Sequence, residues 1–336
     1  KSEKFLMISL CGACGCYSFY ELFRVFIMTH LRLYGLPGSP YSMKMRSVLR
    51  YRRIPFIFIH AMGGHGPLAD VRPPLIPVLE DGDGVHHVDS TPMIDWLEQE
   101  HKARSIVPDE PCVAFLSALI EDFADEWLTK VMFHYRWANE EDVKVFSREG
   151  VFDFIGAKEK SFLERTANIF AHRQVSRRAM VGSTSINAPV LESTFLDLIA
   201  VLNEMLTQRL FLFGTRPSRA DFAIYGQLSQ LANDPSSGRI FRDKAPYAFR
   251  WVNRMDDLSG HEGEWFSLNE LTGPVLKTIL AMCADFYMPF LVANQLALES
   301  KTPIEITVRG LSFRQEPFKY QLKCLYALQE RYQNLP

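Results

Sequence analysis

The chain has 336 residues, 47% of them hydrophobic and 23% charged, with 37 Lys and Arg against 39 Asp and Glu. This composition belongs to a folded protein of two domains or one large one, and it excludes disorder, collagen-like repeats and coiled coil. A formal net charge of -2 leaves no basic footprint, so no nucleic-acid partner is expected. Six cysteines are too sparse for a disulfide scaffold, and free thiols in a reducing, cytoplasmic setting are expected.

Residues 1–28 are read as an N-terminal extension. Lys1 and Lys4 precede an uncharged run, residues 5–20, which has the outline of a signal peptide but lacks a small-x-small cleavage site. The run is also shorter than the roughly 20 residues of a spanning helix, so a membrane tether is disfavoured. Met28 closely precedes the first clear strand and is read as the native start. Cys11 and Cys14 have CxxC spacing. A working pair of that kind follows a strand and opens a helix, and no strand signal precedes this one, so the cluster is read as incidental.

From Leu31 the pattern becomes regular. Leu31–Tyr34 alternates as a strand and ends in a Gly/Pro/Ser loop. Pro40–Arg53 reads as a helix, with Ser39 placed to cap it and Pro40 in its first turn. Residues 55–59 read as a second strand. Residues 77–79 and 85–88 flank Asp81-Gly82-Asp83-Gly84, a strong hairpin signal. Ser90 or Thr91 then caps a helix running to about Lys102. The order is βαβ followed by ββα, a small α/β domain over residues 29–107. Beyond a linker, residues 112–336 read as all-helical, with helices expected over 112–137, 141–148, 157–173, 189–209, 219–232, 245–257, 273–298 and 317–332. One exception is the alternation of Ile304, Ile306 and Val308 with Glu305, Thr307 and Arg309, a short strand or extended arm.

Four local features then line up. Ser39-Pro40-Tyr41-Ser42 lies between the first strand and first helix. Ile76-Pro77-Val78-Leu79 opens the hairpin. Asp89-Ser90 begins the next helix. Pro217-Ser218-Arg219-Ala220-Asp221 has the spacing of a capping box. Together they resemble the cytosolic glutathione S-transferase family with a serine-type active site. That resemblance implies an α/β thioredoxin-like domain followed by an all-α domain, here with a C-terminal extension over 260–336 that the family pattern does not account for.

The resemblance further implies glutathione as co-substrate, with no metal. It makes Ser39 the catalytic residue, since the first motif resembles the glutaredoxin CPYC with Ser for both Cys. Tyr41, Arg72, Ile76, Pro77, Asp89 and Ser90 become glutathione-binding positions. Pro77 would be cis, the Ile76 backbone would pair with the cysteinyl part, and Asp89 and Ser90 would hold the γ-glutamyl group. Relatives carry a Lys or Arg for the glycyl carboxylate. No Lys stands on this loop, and Arg72 is the substitute, with His60 and His65 as neighbours. Trp127 and Tyr135 would wall a pocket for a hydrophobic electrophile. A homodimer engaged in detoxification is implied. A non-catalytic transferase-like module, or a glutathione-dependent isomerase or lyase, remains the alternative.

The residues themselves bear on the chemistry. A serine at position 39 cannot form the mixed disulfide that thiol–disulfide exchange requires, which favours conjugation. Glu121, Asp122, Asp125, Glu126 and Lys130 crowd one helix segment, with His134 near. A solvated or salt-bridged face is the favoured reading over a carboxylate metal site.

Overall fold

The computed structural model describes residues 31–271 and 273–336; the extension, Met28 and the Cys11/Cys14 pair lie outside the described residues. Strand β1 (Leu31–Gly35) leads through a Pro-Gly-Ser loop into α1 (Pro40–Tyr51). Then come β2 (Phe56–His60), β3 (Val78–Glu80), β4 (His86–Val88) and α2 (Ser90–Glu100). The sheet order is β2-β1-β3-β4. β1 runs parallel to β2 because α1 carries the chain back between them, whereas the Asp81–Gly84 turn makes β3 and β4 antiparallel. Leu33 and Leu79 face each other across β1 and β3 and are fully buried.

The helical region opens with α3 (Pro111–Phe123), continues through a π-helical turn (Ala124–Leu128) and runs on as α4 (Thr129–Ala138). There follow α5 (Glu140–Ile155), α6 (Lys160–Ser176), the short α7 (Arg178–Val181), α8 (Ala188–Met205) and α9 (Arg219–Asn233). Fourteen of the fifteen α9 residues are buried, so α9 is the axle of the fold. It lies directly on α1: a Cβ on Gly226 would come within 2.7 Å of the Pro40 carbonyl oxygen. Ser218 caps α9, and Asp221 Oδ2 accepts from the Ser218 N–H at 2.8 Å, the expected capping box.

Beyond the short α7, which the sequence reading lacks, and α5, which runs on past the expected 148 to Ile155, two further elements differ from that reading. Asp234-Pro235 starts a further helix, α10 (Pro235–Lys244), ahead of α11 (Pro246–Met255). The Ile304–Val308 alternation is β5, which finds a partner in β6 (Leu311–Gln315), an antiparallel hairpin rather than a lone arm. Around it, α12 (Pro274–Met282), a second π-helical turn (Cys283–Tyr287) and α13 (Met288–Ser300) form one helical run, and α14 (Lys319–Gln333) ends the fold. The run Pro274–Ser300 is long and apolar enough to cross a membrane, but half of its most apolar stretch is buried inside the protein. The C-terminal extension is thus part of the core: Phe286, Phe290 and Phe313 surround Trp127 with ring centroids 5.0–6.1 Å away.

Candidate active site

The sheet register explains why residues far apart in sequence meet. Tyr34 pairs with Val78, and Val78 with Val88. These three form one row across β1, β3 and β4. Just beyond it the chain leaves β1 toward Ser39, enters β3 from Ile76-Pro77, and leaves β4 into Asp89-Ser90. The ladder stops at Val78, so the Ile76 main chain lies past the last pair, and the Ile76–Pro77 peptide bond is cis.

Ser39 is the N-cap of α1, half-exposed, and its Oγ accepts from the Ser42 N–H at 3.3 Å. A capping hydroxyl spends a lone pair and keeps its proton; no described residue accepts that proton. The loop before it is held from the helical side. Arg136 Nη1 donates to the Gly38 carbonyl at 2.9 Å and Gln230 Nε2 to the Pro37 carbonyl at 3.1 Å. Arg136 is itself ion-paired with buried Asp234 at 2.9 Å and lies over the Phe146 ring. Phe146 in turn seats Gly38, where a Cβ would fall 2.6 Å from the ring.

Asp89 is the N-cap of α2, with φ at 71°, the left-handed region. A non-glycine residue held there costs about 1–3 kcal/mol, and such strain clusters at ligand clamps. Its Oδ1 accepts from the Thr91 N–H at 3.4 Å, and its Oδ2 accepts from the hydroxyl of Tyr320 in α14. Ser90 Oγ is buried and accepts from Lys44 Nζ at 3.1 Å, which leaves its O–H free to donate.

Lys44 links this edge of the sheet to the acidic segment. Its ammonium also reaches Glu121 at 2.7 Å and Asp125 at 2.6 Å, while Glu121 binds Arg219, and Arg219 binds Asp95 at 2.9 Å. Burial disfavours both charges, but the partners prevail: Lys44 sits above its usual range and Glu121 below its own. The acidic segment is thus a buried ion-pair network, not a solvated face. Burial pushes the Asp122 carboxyl up to about 6, where Tyr287 donates to it at 2.7 Å. Burial and the Asp122 charge raise Glu126 as well, and burial lowers Lys130. His134 binds Ser183 at 3.1 Å and Glu192 at 3.3 Å.

Other expected positions are placed as follows. Tyr41 donates to the Asp125 main-chain oxygen at 2.7 Å, tying α1 to the π turn, and burial holds its phenol well above the usual range. The exposed Arg72 guanidinium turns onto its own loop, donating to the Ala69 and Val71 carbonyls at 2.7 and 2.9 Å. His60 contacts the Asp153 carbonyl, and His65 packs on Phe154. The electrophile wall needs correction. Trp127 is fully buried, its Nε1 donating to Thr194 at 3.3 Å, and the extension's aromatic rings fill the space beside it. Tyr135 packs against Phe195 of α8, and the α4 residue that reaches the Ser39 loop is Arg136. Lys44, Arg136, Gln230 and Tyr320 were not legible as site residues, since each acts through a contact at least 46 positions away.

Residues 33–105 match the family described as "Glutathione S-transferase, N-terminal domain". No curated protein matches the chain. Solved structures similar to it include a glutathione S-transferase from Rhodospirillum rubrum F11 at 16% identity, covering 74% of this chain and 91% of that one, TM-score 0.43. Another is a glutathione S-transferase from Methylobacterium radiotolerans in complex with glutathione sulfonate, at 19% identity, 71% and 98% coverage and TM-score 0.44. A third is the β-etherase LigF from Sphingobium sp. strain SYK-6, at 17% identity, 75% and 98% coverage and TM-score 0.44.

Proposed function

We propose, from the match of residues 33–105 to the glutathione S-transferase N-terminal domain, that the chain acts as a glutathione S-transferase and binds glutathione at the Ser39–Pro77–Asp89 edge of the sheet. There it conjugates the thiolate to a hydrophobic electrophile. The observation that carries this reading is the single row Tyr34–Val78–Val88. It brings a capping serine, an unpaired main-chain stretch and a strained helix-capping carboxylate to one sheet edge.

The chemistry follows from those groups. A free thiol with pKa near 8.5 is only about 3% thiolate at pH 7, and the thiolate is the nucleophile. Lowering that pKa by about two units takes about 2.7 kcal/mol. The Ser39 O–H donating to sulfur, with the N-terminal end of α1 behind it, supplies an interaction of that size. The thiolate sulfur then bonds to the electrophilic carbon, whose leaving group departs with its electron pair, or whose double bond takes up a proton. Ser39 keeps its proton throughout. At the other end, Asp89 faces the γ-glutamyl ammonium. The Ser90 O–H, backed by the Lys44 ammonium, faces the γ-glutamyl carboxylate at the start of α2.

A second reading, a transferase-like module without chemistry, is favoured by one observation: Asp89 and Ser90 are both already bound by donors of the chain itself. Retention on immobilised glutathione, eluted by free glutathione, supports transferase function, and no retention supports the module. Cytoplasmic detoxification as a homodimer belongs to the same proposal. Sedimentation at micromolar concentration should give twice the mass of one chain, and a single-chain mass refutes the dimer.

A further inference from the structure

The contact between Tyr320 and Asp89 joins residues 231 positions apart, and it falls on the carboxylate assigned above to the ligand's ammonium. We propose that Tyr320 is a built-in competitor for the amino-group subsite: its phenol occupies Asp89 until a γ-glutamyl ammonium displaces it, so α14 sets how readily glutathione enters. The proposal rests on the glutathione reading.

The way α14 is mounted supports this. Its start is clasped to α13 by the fully buried Asn294, which accepts from the Phe318 N–H at 2.7 Å and donates to the Phe318 carbonyl at 3.0 Å. One turn further on, Gln321 Nε2 donates to Glu126 on the π turn at 3.4 Å. Near its end, Arg331 Nη2 donates to Asp95 at 3.0 Å. Asp95 lies on α2, the helix that Asp89 caps, so α14 grips α2 at its first turn and again further along. The clasp at Asn294 is buried, but Tyr320 is 44% exposed and the Arg331–Asp95 pair is open to solvent. The helix is therefore anchored at its base, while the tyrosine is held at the rim by a single hydrogen bond.

The chemistry of exchange is favourable. The phenol is a neutral donor of one proton; an ammonium carries a full charge and three donors. A carboxylate prefers the charged donor, so ligand entry replaces a weaker partner by a stronger one. The bound ligand must still give up the free energy of the Tyr320 bond, and removing that bond should reveal the hidden affinity.

The test is calorimetric titration of glutathione into the full chain as wild type, Tyr320→Phe, Arg331→Ala, Asp89→Ala and the Asp89→Ala/Tyr320→Phe double variant. Loss of the competitor should tighten binding about tenfold in Tyr320→Phe, the scale of one hydrogen bond to a charged group. A smaller gain is expected in Arg331→Ala. In the Asp89→Ala background Tyr320→Phe should have no effect. Weaker binding by Tyr320→Phe would make the tyrosine a ligand contact and overturn the proposal, as would unchanged binding. Binding by Tyr320→Phe but not by wild type would support it strongly. No binding in any of the five proteins would overturn the glutathione reading, and this proposal with it.

Discussion

Replacing Lys44 with Met removes an ammonium whose side chain is 1% exposed while keeping most of its aliphatic stem. The structure indicates which partner suffers. Glu121 keeps Arg219, but Asp125 Oδ2 has Lys44 at 2.6 Å and its Oδ1 is buried without a partner. One buried carboxylate is stranded, and breaking a buried pair in this way costs about 3–5 kcal/mol. The loss should depend on pH. Burial already raises the Asp125 carboxyl above its usual range, and without Lys44 it rises further. A carboxyl raised in the folded state contributes stability that is full below its unfolded pKa and lost as pH rises through its folded value. Urea unfolding followed by tryptophan fluorescence should therefore show the full loss at pH 8 and a clearly smaller one at pH 5. Adding Asp125→Asn should recover much of the loss at pH 8, because the stranded charge is then gone. A loss under about 1 kcal/mol at both pH values would mean instead that water reaches the network.

Asp89→Ala should raise the KM for glutathione while leaving kcat nearly unchanged, because its contact is the same in ground and transition states; an unchanged KM would remove Asp89 from the site. The wild-type protein should lose stability between about pH 4.5 and 8, because burial raises Asp122 and Glu126 and each favours the protonated folded state below its folded pKa. Lys130, lowered by burial, acts on the alkaline side of that window. Denaturant midpoints at pH 5 and pH 8 check this, Glu126→Gln should flatten the difference, and a midpoint that climbs over the window contradicts it. Trp127→Ala should cost about 3–5 kcal/mol of stability, as emptying a core aromatic site does; a normal denaturant midpoint would place the indole at the surface.

What was legible in the sequence is what local chemistry dictates. Ser39-Pro40 must start a helix, Asp81-Gly82-Asp83-Gly84 must turn, and Ser218 with Asp221 must cap, whatever the rest of the chain does. The hairpin signal also sets the pairing of β3 with β4, because strands joined by so short a turn have little choice of register. What was missed depends on partners brought together by the fold. Lys44 reads as an ordinary surface lysine on an amphipathic helix until Glu121 and Asp125 arrive from α3 and the π turn. The π turn itself defeats a helical wheel: one extra residue rotates everything after it by about 100°. Tyr135 therefore packs on Phe195, and Arg136 turns to the Ser39 loop. Helix α10 carries no clear sequence signal in Ser236, Ser237 and Gly238, and Gly238 is where the backbone approaches the Ala232 carbonyl, 2.7 Å from where a Cβ would be.

We propose that Ser39 holds the thiol of bound glutathione as thiolate. The direct measurement is the ultraviolet thiolate absorbance of bound glutathione against pH, in wild type and in Ser39→Ala, which keeps Pro40 and the start of α1. A lost hydrogen bond to a charged group is worth about 1.5–3 kcal/mol, so the midpoint should move up by about one to two pH units. Turnover at pH 7 should fall roughly ten- to hundredfold and partly recover at higher pH. Superimposable titrations would leave Ser39 as the cap of α1 alone.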